Sequence, residues 1–222
     1  MRLLQKHFAA SPLLTRIVPF AVFLVLTSCQ GQFGEASRYW FYLAKTMAGV
    51  WLIWEMWPFV SEMRWAISWE AILVGIGVVV LWVGLDPFYP KLFHAAATGN
   101  PNETFGEHSA LAWFFIGVHI LGMTFVVPPL EEVLYRSFLY RYIASQNFLT
   151  VPLNRFLPLP FWATALAFGF SHNEWLAGVL CGAAYQWLVL RKNRLGDAMT
   201  AHAITNFLLG IWIVYRGAWN FW

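Results

Sequence analysis

Charge is scarce in this chain. Only 11% of its 222 residues are Asp, Glu, Lys or Arg, against about 25% in an average soluble domain. A chain that is 59% hydrophobic cannot clothe a globule of this size in polar groups, which excludes a water-soluble domain and points to lipid as the solvent. Cysteine is scarce too. Cys29 and Cys181 are the only two, which excludes a disulfide framework and a CxxC metal pair. The compact zinc motif HExxH is missing, as are internal repeats and low-complexity tracts. The net charge of +3 is scattered, with no basic run interleaved with aromatics. We expect no nucleic-acid partner and read the positive charges as topology signals.

What is present fits a bilayer. There are 14 Trp and 20 Phe, and Trp concentrates at the headgroup level. Trp40, Trp51, Trp54, Trp57, Trp65 and Trp69 cluster around two expected helix ends, as such belts do. A membrane-crossing helix needs about 20 mostly apolar residues. Spans are expected at 13–28, 39–60 and 66–85, the last stopped by Asp86-Pro87. A polar loop covers 86–110. A fourth span, 110–127, is expected to break at Pro128-Pro129. A charged helix follows at about 130–146, then spans at 159–172, 175–190 and 196–215. The fold class is therefore all-α: a polytopic transmembrane bundle of about eight helices around a polar intramembrane cavity, read as a single integral membrane domain, 1–222.

Two topology questions arise. Leu26-Thr27-Ser28-Cys29, after the basic Arg2, Lys6 and Arg16, resembles a bacterial lipoprotein cleavage box. We read it as the small-residue end of an ordinary first helix, since a short apolar run alone does not define a processing signal. The N-terminal basic residues and the Arg191, Lys192, Arg194 loop both call for the cytoplasm. Seven full crossings between them cannot satisfy both: either the N-terminus lies outside, or one helix enters and leaves on the same side, the 130–146 helix being the first candidate for such an incomplete crossing.

Ionisable groups inside membrane helices cost about 2.5–3.5 kcal/mol each on insertion scales and persist where they pair or face a wet cavity. Glu132 and Arg136, four residues apart on a helix, can pair. Glu131 lies about 100° round the helix from Glu132 and has no such local partner, which suits a general base. Phe168 with His172, and His202 with Asn206, repeat the four-residue spacing on two other helices. Singly these are weak signals, because a lone His or Asn often only bonds a neighbouring helix. Together they gather a spare carboxylate, two imidazoles and an amide. That inventory contains a base for water, a proton carrier and oxyanion donors, enough to hydrolyse an amide.

In order, Glu131-Glu132-x-x-x-Arg136, Phe168-x-x-x-His172 and His202-x-x-x-Asn206 resemble the three motifs of the CAAX protease and bacteriocin-processing family, that of the Ras-converting CAAX endopeptidase. The chain is similar to its bacterial prenyl protease-related branch. The resemblance covers 110–215 and leaves 1–109 as accessory helices. It implies a glutamic-type intramembrane endopeptidase acting on a membrane-anchored or lipidated peptide, in a bacterial inner membrane. By the same resemblance Glu131 and His172 activate water, His202 and Asn206 stabilise the oxyanion, and Glu132, Arg136 and Phe168 support the site. No metal is expected. The alternative is zinc held by Glu131, His172 and His202 with an open fourth position. Two other readings stand beside the protease. One is a non-enzymatic immunity or scaffold protein. The other is a proton-coupled carrier, which would call for inverted repeats or paired broken helices. Glu55, Glu62, Glu70, His94, His108 and Glu174 read as interface or loop residues. His119 reads so too, with a place beside the cavity as its alternative.

Overall fold

The computed structural model describes residues 3–92, 99–107 and 109–222. Arg2, His94 and His108 lie outside them. The described residues form helices and no strand. In order these are α1 (Leu3–Ala10), α2 (Pro12–Ser28), α3 (Ser37–Met56), α4 (Trp69–Leu85), α5 (Pro101–Phe105), α6 (Ala110–Phe125), α7 (Val127–Glu132), a π-helical segment (Val133–Leu139), α8 (Tyr140–Ala144), α9 (Pro158–Phe170), α10 (Trp175–Lys192) and α11 (Gly196–Arg216). The short α1 and α5 were not expected.

Helix starts follow local chemistry. Ser11, Ser68 and Ser109 accept from the backbone N–H three residues on, capping α2, α4 and α6. Pro12 and Pro158 open α2 and α9, where a missing N–H is harmless. The Ser68 cap moves the start of the third span from Ala66 to Trp69. The expected break at Pro128-Pro129 is instead a single-residue interruption at Val126. Both prolines fall in the first turn of α7, whose N–H groups need no partner within that helix.

Three helical stretches among the described residues are long and apolar enough to cross a membrane: Trp69–Phe88, Ala110–Ala144 and Gly196–Arg216. Pro12–Ser28 and Pro158–Phe170 are shorter apolar helices. The six tryptophans read as belts are all exposed, as are Leu73, Ile76 and Val80 on α4. Exposed apolar side chains on this scale fit an integral membrane protein.

The chain forms two compact units. The first comprises Met1–Val60, Ala95–Leu130 and Asn206–Trp222. Its core includes Phe8, Phe23, Tyr42, Leu52, Met56 and Phe115. His119 lies here, stacked on Tyr42 and on Trp222 at ring-centroid distances of 4.2 and 3.9 Å. Glu55, expected at an interface, is fully buried in α3.

The second unit comprises Ser61–His94 and Glu131–Thr205. Its α9 and α10 pack through small residues. A Cβ on Gly178 would lie 2.9 Å from the Gly169 Cα, and one on Gly182 would lie 3.1 Å from the Ala165 Cα. Such close backbone approach is how membrane helices gain contact without a hydrophobic driving force. The segment before α4 crosses the start of α11, where Thr200 donates to the Ala66 carbonyl at 2.9 Å. Glu70 is buried against Lys192 at 2.6 Å.

Candidate active site

Glu131 and Glu132 end α7, and the next seven residues wind as a π-helix. Such wide turns are uncommon and tend to occur at functional sites. The Tyr140 N–H closes this one by donating to the Tyr135 carbonyl, five residues back. Nothing in the apolar periodicity announced it.

Arg136 sits within the wide turn. Its Nε lies 3.2 Å from Glu132 Oε2, and both side chains are 0% exposed. The expected pair is therefore present and wholly buried. Arg136 Nη2 donates to the Gly182 carbonyl at 3.2 Å, and its guanidinium lies 4.4 Å from the centre of the Phe168 ring. This buried cation thus has a carboxylate, a carbonyl and an aromatic face around it.

His202, from α11, meets both carboxylates. Its Nδ1 is 3.0 Å from Glu132 Oε1, and its Nε2 is 3.9 Å from Glu131 Oε2. With Glu132 committed to Arg136 as an anion, Nδ1 carries the proton and donates it, so Nε2 is turned towards Glu131. The ring is stacked on Tyr185, with centroids 5.1 Å apart, and meets the edge of Phe168 at 5.9 Å. The Tyr185 hydroxyl is tied to Thr205 Oγ1 at 2.7 Å, and Thr205 to the Gly75 carbonyl at 3.0 Å. Sequence reading did not select Tyr185, because an aromatic inside an apolar helix carries no mark of its partner.

His172 lies just beyond α9, not within it. The helix stops at Phe170, and the His172 N–H closes the turn on the Gly169 carbonyl. Its Nδ1 is 2.8 Å from the Phe168 carbonyl. A carbonyl only accepts, so Nδ1 carries the proton and Nε2 presents a lone pair. Burial holds the imidazole below the usual histidine range. Phe168 links the two imidazoles: it packs on His172 at 4.8 Å, besides touching His202 and Arg136. In the same turn, burial together with the nearby Asp86 carboxylate holds the Glu174 carboxyl above the usual range.

The second unit therefore contains Glu131, Glu132, Arg136, Phe168, His172 and His202. Asn206 belongs to the first, where its amide donates to the Met123 carbonyl at 2.7 Å. Zinc would need Glu131, His172 and His202 on one ion. Among the described residues no three His, Cys, Asp or Glu side chains are gathered in a group that could hold a metal. Glu62, read as a loop residue, does lie in the segment before α4, but it is engaged: its Oε1 is 2.6 Å from Arg141 Nη2.

A family model described as type II CAAX prenyl endopeptidase, Rce1-like, matches residues 111–208. No curated protein and no solved structure matches the chain.

Proposed function

We propose that the protein, whose residues 111–208 match the family model of Rce1-like type II CAAX prenyl endopeptidases, is an intramembrane endopeptidase. It hydrolyses a peptide bond of a membrane-anchored or lipidated substrate with a water activated by Glu131 and His172. The observation that carries this reading is the His202 imidazole held between two carboxylates, with Nδ1 on Glu132 and Nε2 towards Glu131. Glu132, tied to Arg136, orients the ring. Glu131, with 12% of its side chain exposed, is the carboxylate we assign as the base.

The water oxygen attacks the scissile carbonyl carbon while Glu131 takes the water proton. His172, whose Nδ1–H is held by the Phe168 carbonyl, accepts a hydrogen bond from that water through Nε2. The tetrahedral oxyanion is stabilised by the His202 ring, which Glu132 orients through Nδ1. The C–N bond then breaks and the amine leaves with the proton held on Glu131. No step requires a metal ion. The bacterial inner membrane is the proposed location.

The test is cleavage of a panel of lipidated and membrane-anchored peptides by purified protein in liposomes. Wild type is run beside Glu131→Gln and His172→Ala, with and without a zinc chelator. Cleavage abolished in both variants and kept with chelator is expected. Cleavage surviving Glu131→Gln would remove the catalytic assignment, since a scaffold tolerates Gln there. Loss with chelator, restored by zinc, would replace the mechanism with a metal-dependent one.

A further inference from the structure

Beyond the two glutamates and the histidines, a second buried polar cluster touches the same helix. Arg141 lies two residues past the π segment and is 5% exposed. Its Nε donates to the Ser137 carbonyl, and its Nη2 donates to Ser137 Oγ at 2.8 Å. The Nη2 also meets Glu62 Oε1 at 2.6 Å, and the Ser137 hydroxyl donates to that same oxygen. One carboxylate oxygen thus receives a guanidinium and a hydroxyl from the two ends of a single turn.

The location gives the cluster its meaning. Widening an α-helix to a π turn disturbs the backbone ladder, and a buried carbonyl needs a donor. The Arg141 side chain supplies one to Ser137. Guanidinium and carboxylate are both nearly buried, at 7% and 12% side-chain exposure. A charge-assisted contact there is strong and directional. The wide turn held in this way contains Arg136, which holds Glu132, which holds His202 Nδ1. Glu62 comes from the segment before α4, 75 residues away from Ser137 in sequence, so the turn is clamped from outside its own helix.

We propose that Glu62 and Arg141 are positioning residues: clamped on Ser137, they hold the π turn and thereby the Glu132–His202 bond that orients the imidazole. Neither is placed to touch substrate. The catalytic consequence rests on the protease reading, whereas the clamp itself does not.

The experiment therefore has two arms on the full chain in micelles. In the first, protein labelled with ¹⁵N-histidine is examined by NMR, with the His202 signal assigned by its loss in His202→Gln. Wild type is expected to show the Nδ1–H tautomer, and Glu62→Gln and Arg141→Gln a mixture or the other tautomer. Glu62→Asp is expected to recover the wild-type form in part. An unchanged His202 tautomer in both charge-removing variants would overturn the inference, whether or not the protein cleaves anything. In the second arm, Glu62→Gln is expected to lower kcat about 10- to 100-fold with KM little changed. A wild-type kcat and pH profile in Glu62→Gln would overturn the positioning role while leaving the protease reading intact. A wild type that cleaves no peptide removes the protease reading, and the tautomer arm then decides the clamp alone. Loss of folded protein in Glu62→Gln is controlled by Ser137→Ala, which keeps both charges and should shift the tautomer less.

Discussion

Arg136 is the residue whose surroundings are most demanding. It is fully buried with Glu132, and a buried ion pair broken on one side costs about 3–5 kcal/mol because the remaining charge has no compensation. Arg136→Met should destabilise the protein by that order, read as a lowered midpoint of thermal or denaturant unfolding in micelles. Adding Glu132→Gln to Arg136→Met should recover much of the loss, because no unpaired charge is then left inside. Equal damage from the single and double variants would mean that the Arg136 packing against Phe168 and Gly182, not its charge, dominates. The pairing was legible in the sequence from the four-residue spacing of Glu132 and Arg136. That Glu132 also receives His202 was not, because the partners lie 70 residues apart and helical periodicity says nothing about which faces meet.

At the scale of elements, the α9–α10 hairpin shows how small residues place a site. The Phe168 ring reaches both imidazoles because α9 lies close against α10 at Gly169, Gly178 and Gly182. Gly178→Val should destabilise by about 1–3 kcal/mol, because its side chain would meet the Gly169 backbone. Gly77→Ala on α4, where a Cβ meets nothing within 4 Å, should change the unfolding midpoint little. Helix boundaries were mostly legible, since serine caps and first-turn prolines are local signals. Two features escaped. Pro128-Pro129 read as a break but sit where a helix start tolerates them, and the π turn at Val133–Leu139 is met by Glu62 through Ser137, a contact that no local pattern encodes.

For the whole molecule, the open question of topology becomes an experiment. Arg191 and Lys192 at the end of α10, with Arg194 in the turn to α11, are the densest basic cluster, and Arg191 and Arg194 are half-exposed. This cluster should face the cytoplasm. In a background with Cys29→Ser and Cys181→Ala, Arg191→Cys should react with a membrane-impermeant maleimide only when the cytoplasmic side is opened. Labelling from the outside of intact cells would reverse the orientation.

By itself the sequence determined the solvent, the helical class, most of the helix limits and the pairing of Glu132 with Arg136. These follow from composition and from spacings within one helix, where hydropathy and a 3.6-residue period act locally. Only the tertiary structure decided that His202 turns Nδ1 to Glu132, that His172 stands in the turn beyond α9, and that Glu62 reaches Arg141. Each depends on groups brought together by packing. In an apolar interior a buried charge or ring nitrogen is satisfied by whichever partner the fold delivers, at whatever distance along the chain.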